Sequence, residues 1–242
     1  MSPPLRVYAF SGAWGLPTTG PFALKLLAWM RLSAIPYALV HEDDSRKGPK
    51  GKSPWIEDGA LRLGDSQLII SHLQATRGID PDTWLSPEQR AVALAWRLAL
   101  EEHFHQVYEY ELIVRDDGYR HFQGLMGALP AVLRGVVGGY LRSMFRKQLQ
   151  ARGVGRHDAE TVGLMGIAVA DAWAAFLADR PFALGDRPCS LDAVAYGFLA
   201  PMVYGPLRTP TWGHVAEHPV LRGYVGRLRE AWFPEECTQA AA

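Results

Sequence analysis

The chain has 242 residues, 48% of them hydrophobic and 21% charged, which allows a packed core and either one large domain or two small ones. Twenty-five Lys and Arg balance 25 Asp and Glu, so charge offers no case for a nucleic acid or an anionic membrane surface as partner. The two cysteines, Cys189 and Cys237, form neither a CxxC pair nor a spaced framework, which argues against a disulfide fold or a cysteine zinc site.

The N-terminus, MSPPLRVYAF, lacks a basic segment followed by an apolar one, so no signal peptide is read. The sparse cysteines suit a reducing compartment, and a cytoplasmic protein is expected. Arg134 interrupts the apolar run Leu129 to Tyr140, and Asp171 interrupts Gly163 to Leu177. Neither reaches the roughly 20 apolar residues of a membrane span, so no span is expected.

Leu5 to Phe10 reads as a short strand, and Ser11 to Thr19, with two glycines and a proline, as a loop. Pro21 to Leu32 carries Phe22, Leu26, Leu27 and Met30 at helical spacing, with proline in the first turn. Tyr37 to His41 is a second strand candidate, and Asp43 to Lys52 a loop or weak helix. Trp55 to Glu57 and Ala60 to Leu63 flank Asp58-Gly59, a strong hairpin signal. Asp65-Ser66 then opens a helix with Leu68, Ile69 and Leu73 as its apolar face. This order specifies an α/β domain with a mixed sheet, residues 1–78.

Gly78 to Thr83 reads as a linker, and residues 84–242 as an all-helical domain. Ser86-Pro87-Glu88-Gln89 is a capping box whose helix runs to about Val114. Further helices are expected over Pro130 to Arg152, from Asp158 to a stop at Pro181, from Cys189, and from Pro219. Cys189 is a weak helix cap, and Asp192, three residues on, can bond back to the helix-start amides.

Two features carry chemistry. Ser53-Pro54 leads into the hairpin; a cis bond there would offer the Trp55 backbone to an extended peptide, whereas an ordinary trans proline would simply start a strand. The unpaired first amides after Asp65-Ser66 favour a ligand carboxylate, with the Ser66 hydroxyl as a further donor and Asp65 facing an ammonium group. The same two residues also serve as plain helix caps.

The Lys52-Ser53-Pro54 step, the hairpin and the Asp65-Ser66 helix start, in this order and spacing, resemble the glutathione transferases. So do GPFALKL (Gly20 to Leu26), AIPY (Ala34 to Tyr37) and LGDRPCSLDAVAYGFLAPM (Leu184 to Met202). GLPTTGPFALKLLAWMR, QARGVGRH (Gln150 to His157) and HPVLRGYVGRLREAWFP (His218 to Pro234) are similar to the failed-axon-connections and metaxin-like branch. The resemblance covers almost the whole chain. It implies a thioredoxin-like N-terminal domain, an all-helical C-terminal domain, and glutathione as co-substrate for conjugation to a small electrophile, as in detoxification. It also implies that Asp65 and Ser66 hold the γ-glutamyl end, that Ser53, Pro54 and the Trp55 backbone face the cysteinyl part, and that Lys52 lies near the glycyl carboxylate. No metal, nucleic acid or membrane span is implied, and a homodimer or monomer is expected. A non-catalytic, metaxin-like interaction module is the alternative.

Cysteine-type relatives place their nucleophile immediately before the Pro-Phe of the first helix, where this chain has Gly20. Three hydroxyls remain as thiol partners: Thr18 and Thr19 at the mouth of the first helix, and Tyr8 in the first strand. All three also have bland roles, as helix caps and as a strand residue. His103 and His105 beside Glu101 and Glu102 do not make a helical metal set, because the two histidines point to different faces. Trp14, His103 and Tyr108, with Trp96, Phe104 and Tyr110, are candidates for a second-substrate pocket between domains; most aromatics at such spacing are core instead.

Overall fold

Burial alternates along the first strand, β1 (Arg6–Ala9): Val7 and Ala9 are inside, Arg6 and Tyr8 outside. That alternation sets the two faces of a four-stranded sheet in this computed structural model, which describes residues 5–127 and 129–235. Cys237 lies outside the described residues. The strands β2 (Ala38–His41), β3 (Trp55–Asp58) and β4 (Leu61–Gly64) join β1 in the order β2-β1-β3-β4, with β2 parallel to β1 and the other pairs antiparallel. The hairpin turn is Gly59-Ala60 rather than Asp58-Gly59, since Asp58 still pairs with Leu61. Gly59 takes φ +63°, as the first central residue of such a turn requires.

Helices α1 (Pro21–Leu32) and α2 (Ser66–Arg77) share one core with Val7 and Ile56. The buried side of α2 is Ser66, Ile69, Ile70 and Leu73; Leu68, expected inside, is 47% exposed. In α1, every residue from Ala23 to Met30 is buried, Lys25 included. A single apolar stripe would leave a face in water. Here α8 (Ser190–Tyr204) covers that face. Gly197 permits the approach, because a Cβ there would stand 2.6 Å from the Pro21 carbonyl oxygen.

The long helix after the capping box bends through two π-helical stretches. It comprises α3 (Pro87–Leu98), a π segment Ala99–Phe104, α4 (His105–Glu109) and a second π segment Tyr110–Val114. Then follow α5 (Asp116–Leu125), α6 (Ala131–Arg152), α7 (Ala159–Leu177), α8, α9 (Pro210–Glu217) and α10 (Pro219–Trp232). Helices α5 and α9 are not among the elements expected from the sequence; both are short and interrupted by glycine. By length and composition, α7 is apolar enough to cross a membrane despite Asp171, contrary to expectation. In the fold it packs against α9 and α4 and buries Val162, Ala170, Trp173 and Leu177.

Buried carboxylates fasten this half. Asp192 accepts bonds from the amides of Ala183 and Cys189 at 2.8 Å and from the Tyr224 hydroxyl at 2.7 Å. Glu111 accepts from the Thr209 hydroxyl (2.7 Å), the Thr211 hydroxyl (3.0 Å) and the Thr211 amide (3.1 Å), so it closes the start of α9 from a distant helix. Burial pushes both carboxyls above their ordinary range.

Candidate functional site

The starts of α1 and α2 lie close together. Gly20 caps α1 through its backbone alone, and Pro21 follows at the first helical position. Apart from Thr18, which accepts the Gly20 amide, no described side chain caps this start, so its first helical amides keep their partial positive charge for a ligand. Asp65 caps α2 at φ +87°, an unusual backbone for a non-glycine residue, and accepts the amides of Gln67 (3.0 Å) and Leu68 (3.1 Å). Ser66 beside it is buried. Thus the capping role of Asp65 is present, and one of its oxygens is used within the helix.

Lys25 ties the two helices to the helical half. Its Nζ donates to Gln67 Oε1 at 2.9 Å and to Glu101 Oε1, while Arg97 holds the other Glu101 oxygen at 2.9 Å. The lysine is 1% exposed, and burial lowers its pKa against the pull of Glu101. The helical spacing of Phe22, Leu26, Leu27 and Met30 does not single out Lys25. Its signal was a lysine inside the apolar run Phe22 to Met30.

The Ser53-Pro54 bond is cis. The geometry moves the free backbone away from Trp55, however. Trp55 is paired on both sides, to Tyr8 in β1 and Gly64 in β4. Ser53, outside the ladder, is the residue an extended ligand can meet, and its buried hydroxyl has no hydrogen-bond partner among the described residues. An orphaned buried hydroxyl is costly unless something satisfies it.

The three candidate thiol hydroxyls are all engaged. Tyr8 lies on the sheet face opposite the α1–α2 core, stacked on Trp55 at 3.6 Å, and donates to Glu57 Oε2 at 2.8 Å. Thr18 is fully buried and accepts the Gly20 amide at 3.3 Å. Thr19 is half-buried and donates to the Ser11 carbonyl at 3.3 Å. Of these, only the threonines stand at the mouth of α1.

The aromatic candidates separate. Trp14, at φ +60°, meets Trp212 edge-on at 6.0 Å, and Tyr108 meets the same ring at 4.9 Å. His103 is exposed and does not join them. Trp96 packs on Trp173 and Phe176, Phe104 is core, and Tyr110 sits with Val107 and Val154, so these three belong to packing. His105 takes the place expected of His103. Its ring lies 4.8 Å from Phe22, the second residue of α1, and 5.8 Å from Phe198. The spacing His105–Tyr108 on one helical face was the available signal.

One turn on, Glu109 Oε1 stands 3.5 Å from His105 Nε2. Burial pushes His105 down to about 3, aided by the charges of Arg152 and Lys52, so its ring is neutral at pH 7. Burial pushes Glu109 up to about 7, against the same two cations. The field of Lys52 at both groups brings the loop before Pro54 electrostatically to the α4 face. The arrangement is an anion-receptive helix start bordered by a neutral histidine, a readily protonated carboxyl and aromatic rings.

Comparison with known proteins identifies the family and the fold. A model described as the glutathione S-transferase N-terminal domain matches residues 21–118, and one described as the glutathione S-transferase C-terminal domain matches residues 167–228. The isoprene-epoxide–glutathione S-transferase of Rhodococcus sp. (strain AD45) is 30% identical over 240 residues, covering 94% of this chain and 99% of that protein. Failed axon connections of Drosophila melanogaster is 30% identical over 254 residues, covering 97% of this chain and 60% of that protein. Metaxin-1 of Bos taurus is 26% identical over 261 residues, covering 99% and 78%. In fold, the β-etherase LigF from Sphingobium sp. strain SYK-6 superposes with a TM-score of 0.67 at 14% identity, covering 98% of this chain and 100% of that one. The chain belongs to the glutathione S-transferase superfamily, in the branch that includes failed axon connections and metaxin.

Proposed function

We propose that this protein binds glutathione and conjugates it to a small electrophile, an epoxide being the substrate class to test first. The observation that carries the reading is the juxtaposition of two helix starts, the open one of α1 and that of α2 at Asp65-Ser66, linked through Lys25 and Gln67. Ser66, by its hydroxyl and its own amide, receives the γ-glutamyl carboxylate, Asp65 its ammonium group, and Ser53 the backbone of the cysteinyl residue. Lys52 faces the glycyl carboxylate. The sulfur then lies at the start of α1, where the helix amides stabilise a thiolate. The epoxide class comes from the similarity to the isoprene-epoxide enzyme. Thiolate attack on an epoxide carbon forms the C–S bond and breaks a C–O bond, and the departing alkoxide takes a proton. Glu109, pushed up to about 7 by burial, is a carboxyl able to give that proton near neutral pH. We place the protein in the cytoplasm, as a monomer or homodimer. The test is calorimetric titration with glutathione, followed by conjugation assays with a small epoxide. No binding at millimolar glutathione sinks the reading.

A second reading is a non-catalytic interaction module of the metaxin kind. It is favoured by one observation: every candidate hydroxyl already has an internal partner, and Gly20 supplies no thiol. Glutathione that binds without any lowering of its thiol pKa would support it.

A further inference from the structure

A cluster of metal-ligating side chains lies in the helical half, outside the site described above. Helix α9 ends and α10 begins at the same residue, His218. His214 stands four residues before it, and α7, packed alongside α9, brings Asp171 to the same place. His214 Nε2 is 2.6 Å from Asp171 Oδ1, and the two imidazoles are 5.6 Å apart at an interplanar angle of 65°. One ligand atom of each residue falls within 4.8 Å of the others. His218 Nδ1 is buried and has no hydrogen-bond partner among the described residues.

We propose that Asp171, His214 and His218 bind a divalent transition-metal ion of the Zn²⁺ type, clamping α7 to the junction of α9 and α10. Two imidazoles and a carboxylate, with one position left for water, are a ligand set that Zn²⁺ accepts in four-coordinate geometry. Ca²⁺ and Mg²⁺ are disfavoured, since they take six or more oxygen ligands and the cluster offers one carboxylate. Two histidines spaced by four residues can face one ion, as they do on metal-binding helices. Zn–N and Zn–O distances of about 2.0–2.2 Å place ligand atoms roughly 3.4 Å apart. Asp171 therefore has to back away from His214, which its exposed side chain, 54% accessible, is free to do. The ion also satisfies a histidine that the fold leaves without a full set of partners. Its position is structural: α9 carries Trp212 against Tyr108, so fixing the far end of α9 holds the aromatic wall beside the candidate glutathione site.

The sequence could not show this cluster. Asp171 is 43 residues from His214, and only the packing of α7 on α9 unites them.

The test uses the full chain without a histidine tag, stripped with a chelator and titrated with Zn²⁺ alone by calorimetry. One equivalent should bind saturably and raise the melting temperature. Asp171→Asn, His214→Asn and His218→Asn should each weaken binding at least tenfold. Co²⁺ in place of Zn²⁺ should give the intense visible bands of a four-coordinate ion, lost in Asp171→Asn. Absence of saturable binding overturns the proposal, as does undiminished affinity in Asp171→Asn and His214→Asn; the three residues are then only a surface ion pair with a neighbouring histidine. Should His218→Asn fail to fold, the Asp171→Asn titration and the Co²⁺ spectrum of the unaltered chain decide the matter.

Discussion

The start of α1 and the starts of α8 and α9 are treated in opposite ways. In the helical half, Glu111 closes the start of α9 and Asp192 that of α8, each a buried carboxylate with several donors. At the sheet end, α1 begins at Gly20, which has no side chain to cap it, and among the described residues the buried Ser53 hydroxyl beside the cis proline has no partner. The chemical device is the same, a set of unpaired amides with positive charge. Where the protein satisfies it internally, it makes scaffold. Where it leaves it open, a ligand can complete it.

The largest effect that tests this contrast is on stability. Asp192→Ala removes the acceptor for two amides and the Tyr224 hydroxyl, all buried, and should cost about 3–5 kcal/mol in a urea melt. A loss under about 1 kcal/mol would break the comparison, since the closed start would then not be holding the fold.

Glu109 on α4 should make stability depend on pH. A carboxyl held at about 7 binds its proton more tightly in the folded chain than unfolded, where 4.5 is usual. Its cost to stability is absent below about 4.5, grows as pH rises toward 7, and is complete above that. The groups facing it are His105, Arg152 and Lys52. Glu109→Gln should therefore be more stable than the parent at pH 8 by about 2–3 kcal/mol, with little difference at pH 4. Melts at the two pH values measure this. A gap that does not widen with pH would show that Glu109 is not held in a desolvated place.

The site residue Ser66 should matter for ligand rather than for folding. Ser66→Ala should weaken glutathione binding by about 1–3 kcal/mol, the usual range for a hydrogen bond to a charged group, with a smaller effect on stability. Equal affinity by calorimetry would remove α2 from the binding site.

The smallest effect sharpens the account of the thiol. Thr18 and Thr19 already have internal partners, so the α1 amides should carry the stabilisation of the thiolate, about 0.3–1 kcal/mol. Bound glutathione should then titrate less than one pH unit below its free value of about 8.5, and Thr18→Val or Thr19→Val should move it little. Thiolate absorbance against pH reads this directly. A large upward move in Thr19→Val would show that its hydroxyl turns from Ser11 to the sulfur.

Local chemistry by itself determined much of this protein. Pro21 and its apolar run set α1, the Ser86–Gln89 box set α3, Asp-Gly near the hairpin set β3 and β4 to within one residue, and Asp65-Ser66 marked the start of α2. These are effects of neighbouring residues, in which a cap, a turn or a periodicity is decided within a few positions of the chain. The family resemblance was legible for the same reason, because its motifs are local. The tertiary structure alone decided which groups are satisfied. It brought Glu111 against the start of α9, 100 residues from the Thr211 it binds, and set Trp55 between two strands so that Ser53 became the free residue. It also turned His105 rather than His103 toward Phe22, because the packing of α1 and α8 against the long helix decides which of its faces is inside. Burial shifted Lys25, His105 and Glu109 because desolvation depends on what packs around a group from distant parts of the chain, and no local pattern records that.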